Sequence, residues 1–423
     1  MLEMQFIREN PDVVRADLKK RKDAERLKLF EELLEKDAEW RKLKQEAEQL
    51  RQRRNAISEE VRELKKSGGD ISGKIREAKE LPDTIKAIEE KINILDERVK
   101  FIHLRIPNVL HASVPYGKDS EDNIVVRNWG KVKKQSFELK SHGELLEERG
   151  LANFSQATKV SGAGFYYLLG DFALLEMALA KFAIDTLVKK GFTLVEPPFL
   201  LGRKAYEGVT DLADFENVMY KIEGEDSYLI ATSEHPIAAM HMNGVIDDEK
   251  LPLRYCGFSS CFRKEIGSHG VDTRGLFRVH QFNKVEEFVF CNPKDSWKIH
   301  EELIKISEGL FQKLKIPYRV VNICTGDIGI VASKKYDIEA WFPKQQAYKE
   351  VCSCSNCTSY QAVRLNVRHG KLGGNMDYAH TLNNTAIATA RTLACIVENY
   401  QNKDCSITVP SALAKYMGGK RKI

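Results

Sequence analysis

The stretch from Cys261 to Phe290 concentrates charged groups of the kind that bind a polyanion. It reads CFRKEIGSHGVDTRGLFRVHQFNKVEEFVF and carries five lysines and arginines. Alternation of apolar and charged residues at both ends predicts two strands joined by a loop. Three glycines mark that loop: Gly267, Gly270 and Gly275. Arg263 and Arg278 could contact a triphosphate bidentately, and Glu265 could accept from an amine. The alternative is a solvated hairpin with surface ion pairs.

Three other segments place polar groups in apolar surroundings. In LIATSEH (229–235), two hydroxyls and a carboxylate follow an apolar strand, although Thr-Ser-Glu is also an ordinary start of a helix. Glu350 lies in the apolar run AYKEVCS (347–353), where a carboxylate needs a partner such as a metal with phosphate. Arg391 lies in the last element, 380–401, whose apolar residues show helical spacing. It either pairs with a carboxylate or is aimed at a ligand anion.

Composition limits the class of protein. The chain has 423 residues, 43% hydrophobic content and a net charge of +5, which predicts two or three globular domains and only a local nucleic-acid surface. Nine cysteines without an apolar N-terminal segment favour a reducing cytoplasm, and no run approaches the ~20 apolar residues that cross a bilayer. Cys352, Cys354 and Cys357 are spaced C-x-C-x-x-C, a weak pattern for structural zinc.

The first hundred residues predict a coiled-coil arm at about 26–103. Apolar residues recur at steps of three and four in two segments separated by the turn sequence Ser67 to Asp70. The stripe comprises Leu43, Ala47, Leu50, Ile57, Val61 and Leu64, then Ile85, Ile88, Ile92, Leu95, Val99 and Ile102. The two helices must run antiparallel. Because proline suits only the first turn of a helix, Pro82 is expected to begin the return helix, with 71–81 as a separate shorter helix.

Basic residues gather on the first helix of this arm and toward its tip. Phosphate backbone is their natural partner, and the alternative is a structural or dimerising coiled coil with a solvated surface. The candidates for phosphate contact are Arg51, Arg53, Arg54, Arg62 and Lys65. The Pro-containing stretch 106–118 is expected to be a linker, and 119–423 a mixed α+β domain.

These segments together resemble the seryl-tRNA synthetases, a family of class II aminoacyl-tRNA synthetases, over essentially the whole chain. Gly191 to Pro198 resembles the first class II motif, Cys261 to Glu286 the second and His380 to Gln401 the third. The wording FRKEIGSHGVDTRGLFRVHQFNKVE, TGDIG with KKYDIEAW, and SCSNC with HTLNNTA is similar to that family in particular. CSNCTSYQAVRLN is similar to archaeal members.

The resemblance implies a fold, an assembly and a reaction. The fold is α+β, with a class II antiparallel sheet of six or seven strands flanked by helices and an N-terminal antiparallel two-helix coiled-coil arm. Residues 1–105 would bind tRNA and 119–423 would catalyse, in a cytoplasmic homodimer. Serine and ATP, with Mg²⁺, would give seryl-adenylate, and the 3′ end of tRNA(Ser) would take the seryl group. tRNA(Sec) would be charged where the host has it.

The resemblance also assigns roles to single residues. Arg263 would touch the α-phosphate and the serine carboxylate, and Arg391 and Arg278 the γ-phosphate. The remaining ATP contacts would be Lys264, Glu265 at the adenine amine, Phe282 stacked on adenine, Val279 through its backbone, Val351, Cys352 and Ser353, with Glu350 holding magnesium. Serine would be bound by Thr232 and Glu234 at its amine and by Glu286 and Thr385, with Asn383 nearby, at its hydroxyl. Ser233 would also belong to the serine-binding set. The residues expected to carry catalysis are Arg263, Arg391 and Glu286.

Two other functions compete with this one. A catalytically silent paralogue that uses the arm as an RNA-binding module predicts lost ligand positions, yet all those above are present. A synthetase-like ligase that loads a carrier protein would lack the long arm and would bind zinc through Cys and His, whereas this chain keeps the arm. The unusual features are Cys352, where a serine or small residue is common, and the Gly-rich run HGKLGGNMD (369–377).

Overall fold

The computed structural model describes residues 1–210, 216–265, 275–371 and 373–423. It divides into two compact units, Leu2–Pro107 and Asn108–Ile423, and the second also includes Met1. Within the described residues, no helix is long and apolar enough to cross a bilayer. Gly267 and Gly270 of the predicted hairpin loop lie outside the described residues, as does Leu372 of the Gly-rich run.

The first unit consists of four helices, of which two form a long antiparallel pair. They are α1 (Met4–Glu9), α2 (Pro11–Arg21), α3 (Ala24–Ser67) and α4 (Ser72–His103). The Asp23 side chain caps α3 by accepting from the Arg26 N–H, and α3 ends at Gly68, whose φ of 72° is left-handed. Ala47 and Ile57 are buried on α3, and Ile85, Ile88, Leu95 and Ile102 on α4. The predicted antiparallel pair and its apolar stripe are confirmed.

The prediction of a separate helix over 71–81 was wrong. Helix α4 runs without a break from Ser72 to His103, with Pro82 inside it. A proline in a helix interior removes one backbone hydrogen bond and costs about 3 kcal/mol. Leu81, Ile85 and Ile88 are buried on either side of it. Burial of these side chains against α3, at about 1.5–3 kcal/mol each, offsets that cost and keeps the helix continuous.

Ion pairs cross between the two long helices and use part of the basic surface. Arg51 lies 2.6 Å from Glu89, and Arg53 lies 2.7 Å from Glu77 and also contacts Glu60. In contrast, Arg54, Arg62 and Lys65 are exposed and make no ion pair with any described residue. The five predicted phosphate contacts therefore fall into two groups, two arginines engaged within the arm and three cations facing solvent.

The second unit is built on a mixed sheet with helices on its faces. Its helices are α5 (His142–Glu148), α6 (Phe154–Ser161), α7 (Gly170–Val188), α8 (Arg203–Val209), α9 (Glu234–Ala239), α10 (Ser296–Lys313), α11 (Tyr360–Leu365) and α12 (Thr389–Tyr400). Its strands are β1 (Ile124–Trp129), β2 (Ala152–Asn153), β3 (Tyr167–Leu168), β4 (Thr193–Val195), β5 (Leu200–Gly202), β6 (Ser227–Leu229), β7 (Val245–Ile246), β8 (Leu253–Phe262), β9 (Gln281–Cys291), β10 (Tyr318–Asn322), β11 (Lys334–Phe342), β12 (Ala347–Thr358), β13 (Arg368–Gly370), β14 (Met376–Tyr378) and β15 (His380–Ala388).

The main sheet has eight strands in the order β1-β10-β11-β12-β15-β9-β8-β4, one or two more than expected. Every neighbouring pair is antiparallel except β4 with β8 at one edge. β8 and β9 form the predicted hairpin, with Phe262 opposite Gln281 at its loop end. Helices α7, α10 and α12 bury their apolar faces in the core that covers this sheet. The predicted antiparallel sheet flanked by helices is confirmed.

The helical spacing of apolar residues over 380–401 favoured a helix, and this prediction was wrong for residues 380–388. They form β15, and the helix begins only at Thr389. All but the first residue of β15 are buried, so both faces of the strand are covered. A strand covered on both faces loses its polar alternation, and periodicity cannot then distinguish it from a buried helix.

The stretch predicted as a linker, 106–118, lies mostly within the second unit. Asn108 donates from its backbone to the Ile330 carbonyl and from its side chain to the carbonyls of Val331 and Cys357. Leu110 and Val114 are buried in a small apolar cluster with Val321, Ile323, Ile328 and Ala332. Residues 108–118 are therefore packed chain and do not act as a free tether.

Candidate active site

One cavity of about 510 Å³ opens over the centre of the main sheet, where β8, β9, β12, β15 and α12 converge. It brings together thirteen of the residues predicted from sequence: Thr232, Glu234, Arg263, Glu265, Phe282, Glu286, Glu350, Val351, Cys352, Ser353, Asn383, Thr385 and Arg391. These residues are separated by up to 159 positions, Thr232 to Arg391, so the sheet order is what assembles them.

Four predicted residues do not line this cavity. The Ser233 hydroxyl is fully buried, and a Cβ on Gly257 would lie 2.5 Å from it, so it faces the core and not a ligand. Lys264 lies over the Tyr220 ring, with its Nζ 5.7 Å from the ring centroid. Arg278 is exposed and pairs with Glu265 at 3.4 Å. Val279 lines a narrow space beside Phe277, Phe282 and Arg391. The geometry does not support a serine contact by Ser233.

The cationic half of the cavity is organised around two arginines and an aromatic ring. Arg263 follows the end of β8, donates from Nε to the Ala231 carbonyl at 3.2 Å, and lies 5.2 Å from the Phe282 ring centroid. Arg391, in the first turn of α12, donates from Nε to the Phe277 carbonyl at 3.3 Å. These bonds fix both guanidinium groups while leaving further N–H groups for an anion.

Glu350 and Arg391 form an ion pair in the cavity wall, with Arg391 Nη1 3.3 Å from Glu350 Oε2. Although burial alone would raise the pKa of Glu350, the charges of Arg391, Lys335 and Arg263 lower it. The carboxylate is therefore ionised at neutral pH, and its side chain is 45% exposed toward the cavity. Magnesium is commonly held by one or two carboxylates together with substrate phosphates. Glu350 fits that role.

The other half of the cavity is a small polar pocket with a buried ion pair. Glu286 on β9 is almost completely buried, and its Oε2 lies 2.7 Å from Lys284 Nζ. The Thr385 hydroxyl on the neighbouring strand β15 donates to the same oxygen at 3.1 Å. Thr385 and Glu286 are direct register partners, which explains how a threonine and a glutamate 99 residues apart meet.

Glu234, at the start of α9, closes the pocket from the opposite side. Its Oε1 accepts from Gln361 Nε2 at 2.8 Å and from Asn383 Nδ2 at 3.1 Å. Gln361 is itself fully buried and accepts at its Oε1 from the Thr381 hydroxyl at 2.7 Å. Burial and the negative charge of Glu286 raise the pKa of Glu234 to about 7. Glu234 thus changes its charge near physiological pH.

Because of this pKa, the KM for an amine-bearing substrate should depend on pH. Glu234 is neutral below about pH 7 and anionic above it, and only the anion attracts an ammonium group. We expect the KM for such a substrate to be about tenfold higher at pH 6 than at pH 8. Steady-state kinetics at the two pH values measure this, and Glu234→Gln should flatten the profile. A KM equal at both pH values in the unsubstituted enzyme would contradict the role.

Three residues important to the site were missed by sequence reasoning. Lys284 pairs with Glu286, and Lys335 pairs with Asp337. Gln361 donates to Glu234. Lys335 lies 3.4 Å from the buried Asp337, and its pKa rises to about 12 because the charges of Asp337 and Glu350 outweigh its burial. Lys284 and Lys335 belong to the runs NKVEE and KKYDIEAW. Alternation of charged and apolar residues in these runs was the sequence signal that could have placed the two lysines on strands of the site. Gln361 gives no such signal, since its role depends on a contact 127 residues away.

The cysteine run does not form a metal centre. Cys352, Cys354 and Cys357 are all buried, and burial raises the pKa of each thiol well above its usual value. In the part of the chain that the structure describes, no three Cys, His, Asp or Glu side chains are grouped so as to hold a metal ion. Cys352 and Cys357 instead form part of the cavity wall.

Arg263 of the hairpin and Arg391 of α12 both line one cavity over an antiparallel sheet. This arrangement defines the catalytic core of a class II aminoacyl-tRNA synthetase. Residues 218–400 match the family model of the class II core domain for the G, H, P, S and T enzymes. Residues 1–110 match the model of the seryl-tRNA synthetase N-terminal domain. The chain belongs to the seryl-tRNA synthetase family, as the sequence motifs predicted.

Relatives of known structure or curated function support the same family. The chain is 56% identical over 421 residues to the serine–tRNA ligase of Methanocella arvoryzae, covering 99% of both chains. The crystal structure of the Pyrococcus horikoshii seryl-tRNA synthetase complexed with ATP aligns with a TM-score of 0.95 at 46% identity, covering 100% of this chain and 99% of that one. The crystal structure of a Naegleria fowleri cytoplasmic serine–tRNA ligase in complex with AMP aligns with a TM-score of 0.88 at 37% identity. The alignment covers 100% of this chain and 98% of that one. The predicted archaeal similarity is confirmed.

Proposed function

We infer that the protein is a serine–tRNA ligase that activates L-serine with ATP and transfers it to tRNA(Ser). The observation that carries this conclusion is a single cavity with a cationic half and a small polar half. Arg263 and Arg391 border the first, and the Glu286–Thr385 pair the second. The catalytically silent alternative predicts a damaged cavity and is not supported.

We propose that activation proceeds without a protein nucleophile. The serine carboxylate attacks the α-phosphorus of ATP, a bond to that phosphorus forms, and the bond to the pyrophosphate oxygen breaks. Two anions must meet for this attack, so the protein contributes charge neutralisation and alignment. Arg263 would hold the α-phosphate beside the serine carboxylate, and Arg391 the γ-phosphate. A magnesium ion carried by Glu350 and the nucleotide would neutralise charge on the phosphate oxygens.

We propose that selection of serine rests on Glu286 and Thr385. A substrate hydroxyl bonded to these groups replaces water, whereas alanine or glycine leaves two buried polar groups without that partner. Sites of this kind can reject the analogue that lacks the hydroxyl by several powers of ten. Glu234 would hold the ammonium group, with Thr232 and Asn383 beside it.

The experiment that tests the function is ATP–pyrophosphate exchange with each of the twenty amino acids in turn. Exchange with serine alone is the expected result. Exchange with another amino acid would overturn the substrate, and exchange with none would restore the silent-paralogue hypothesis. Charging of purified tRNA(Ser), and of tRNA(Sec) where the host has it, follows as the second step.

We propose that residues 1–105 bind tRNA and that the arm contacts its long variable region. The exposed cations Arg54, Arg62 and Lys65 support this, because double-stranded RNA is recognised through phosphate, shape and 2′-hydroxyl contacts. Nine free cysteines, eight of them buried, are consistent with work in the reducing cytoplasm.

We also propose that the enzyme is a homodimer. Helix α7 exposes Leu174 (53%) and Met177 (70%), one turn apart, and Leu194 on the adjacent first motif is 49% exposed. Apolar side chains grouped in this way usually mark an interface. Met177→Arg should therefore shift the protein to monomer in sedimentation velocity, while Met240→Arg, at another exposed methionine, should not. A Met177→Arg protein that stays dimeric would exclude α7 from the interface.

A further inference from the structure

His142, the first residue of α5, is buried next to the cationic half of the cavity without lining it. Its Nε2 accepts from the Leu276 backbone N–H at 3.1 Å, and its Nδ1 lies 3.1 Å from Glu398 Oε1. An acceptor role at Nε2 places the ring hydrogen on Nδ1, from which it donates to Glu398. The second oxygen of Glu398 accepts from the Lys344 backbone N–H at 3.1 Å. Every polar atom of this pair is therefore engaged.

The peptide that His142 holds leads directly to the proposed ATP contacts. Leu276 is fixed through its N–H, and the carbonyl of the following residue, Phe277, accepts from Arg391 Nε at 3.3 Å. The Arg391 guanidinium also lies 5.0 Å from the centroid of the Phe277 ring. Leu276 and Phe277 are thus held from both sides, by His142 on one and by Arg391 on the other.

Helix α12 carries both Arg391, which contacts Phe277, and Glu398, which contacts His142. Arg391 and Glu398 are seven residues apart, which is two helical turns, so they project from the same face. Gly275 allows the imidazole to approach: its φ of 102° is left-handed, and a Cβ there would lie 2.4 Å from His142 Nε2. A side chain at 275 would displace His142 from the Leu276 N–H.

We propose that His142, oriented by Glu398, is a positioning residue for ATP: it fixes the Leu276–Phe277 backbone and thereby the Arg391 guanidinium that meets the nucleotide. This role rests on the proposed function. It predicts that loss of the imidazole acceptor weakens ATP binding selectively. A residue that merely fills the core would instead lower thermal stability and the fraction of active enzyme, with both KM values unchanged.

The test compares His142→Ala with His142→Gln in serine-dependent ATP–pyrophosphate exchange. Alanine leaves the buried Leu276 N–H without an acceptor and should raise the KM for ATP about tenfold, with the KM for serine within twofold. Glutamine places its Oε1 near the position of Nε2 and should restore most of the ATP affinity. Active-site titration corrects both variants for unfolded protein.

Two further variants keep the test informative if His142→Ala fails to fold. Glu398→Gln should raise the KM for ATP moderately, because a neutral amide orients the ring less strongly than a carboxylate. Gly275→Ala should reproduce the defect of His142→Ala. An unchanged KM for ATP in the folded variants would overturn the positioning role while leaving the ligase function intact. Absence of exchange in the unsubstituted enzyme would overturn the ligase function itself.

Discussion

Replacing Arg391 with alanine is expected to reduce serine-dependent ATP–pyrophosphate exchange by about three powers of ten. The guanidinium is the cation of α12 that faces the cavity, 3.3 Å from Glu350. On the role proposed for Arg391, less of the charge that develops on the pyrophosphate is neutralised without it, and Glu350 loses the cation that does most to lower its pKa against the effect of burial. The measurement is the exchange rate at saturating ATP and serine.

Arg254→Ala is the matched control. Arg254 belongs to β8 of the same sheet and pairs with Glu302 at 2.9 Å, at the end of the strand away from Arg263. Its removal should leave exchange within about twofold of the original rate. Arg391→Ala should also preserve the oligomeric state by sedimentation. Substantial exchange by Arg391→Ala would remove this residue from the ATP site.

Deleting residues 45–92 and closing the gap with a short Gly-Ser turn is expected to separate the two reactions. Exchange should persist, because the cavity lies entirely within the second unit. tRNA charging should fall by two powers of ten or more, since several phosphate contacts would be lost together. The pairs Glu32–Arg98 and Arg51–Glu89 give the local register of α3 and α4, so residues 44 and 93 lie opposite each other at the new turn.

A substitution series refines that result within the intact arm. Changing Arg54, Arg62 and Lys65 together to glutamine should weaken tRNA binding and reduce its salt dependence. Arg51→Gln is the comparison, because Arg51 already pairs with Glu89 and Glu48. Its effect on tRNA should be small. Normal charging by the deletion variant would exclude the arm as an RNA-binding element.

The elements that sequence could predict are those whose pattern is local. The arm follows from three-four spacing around a glycine turn, and the β8–β9 hairpin from alternation on both sides of a loop. Both are present. The two errors have tertiary causes: Pro82 is tolerated because its neighbours are buried against α3, and β15 is covered on both faces. Tertiary packing decided both cases, and a single sequence does not report it.

Within the site, the predicted residues are those that belong to recognisable motifs. Arg263, Glu286 and Arg391 meet in the cavity as expected. Ser233 was expected there because of its neighbours, but its hydroxyl turns into the core under Gly257. Gln361 and His142 could not be found, since each acts through a partner more than 100 positions away. A sequence motif reports neither the direction of a side chain nor its long-range hydrogen bonds.

The pKa of about 7 at Glu234 also has a calorimetric consequence. Near neutral pH part of the empty enzyme carries a proton on this carboxyl, and an arriving ammonium group favours the ionised form. On the role proposed for Glu234, serine binding then releases a fraction of a proton to the solvent, by linkage between the two equilibria. The heat of binding consequently varies with the ionisation enthalpy of the buffer. This dependence is largest just below pH 7 and small at pH 8, where Glu234 is already ionised.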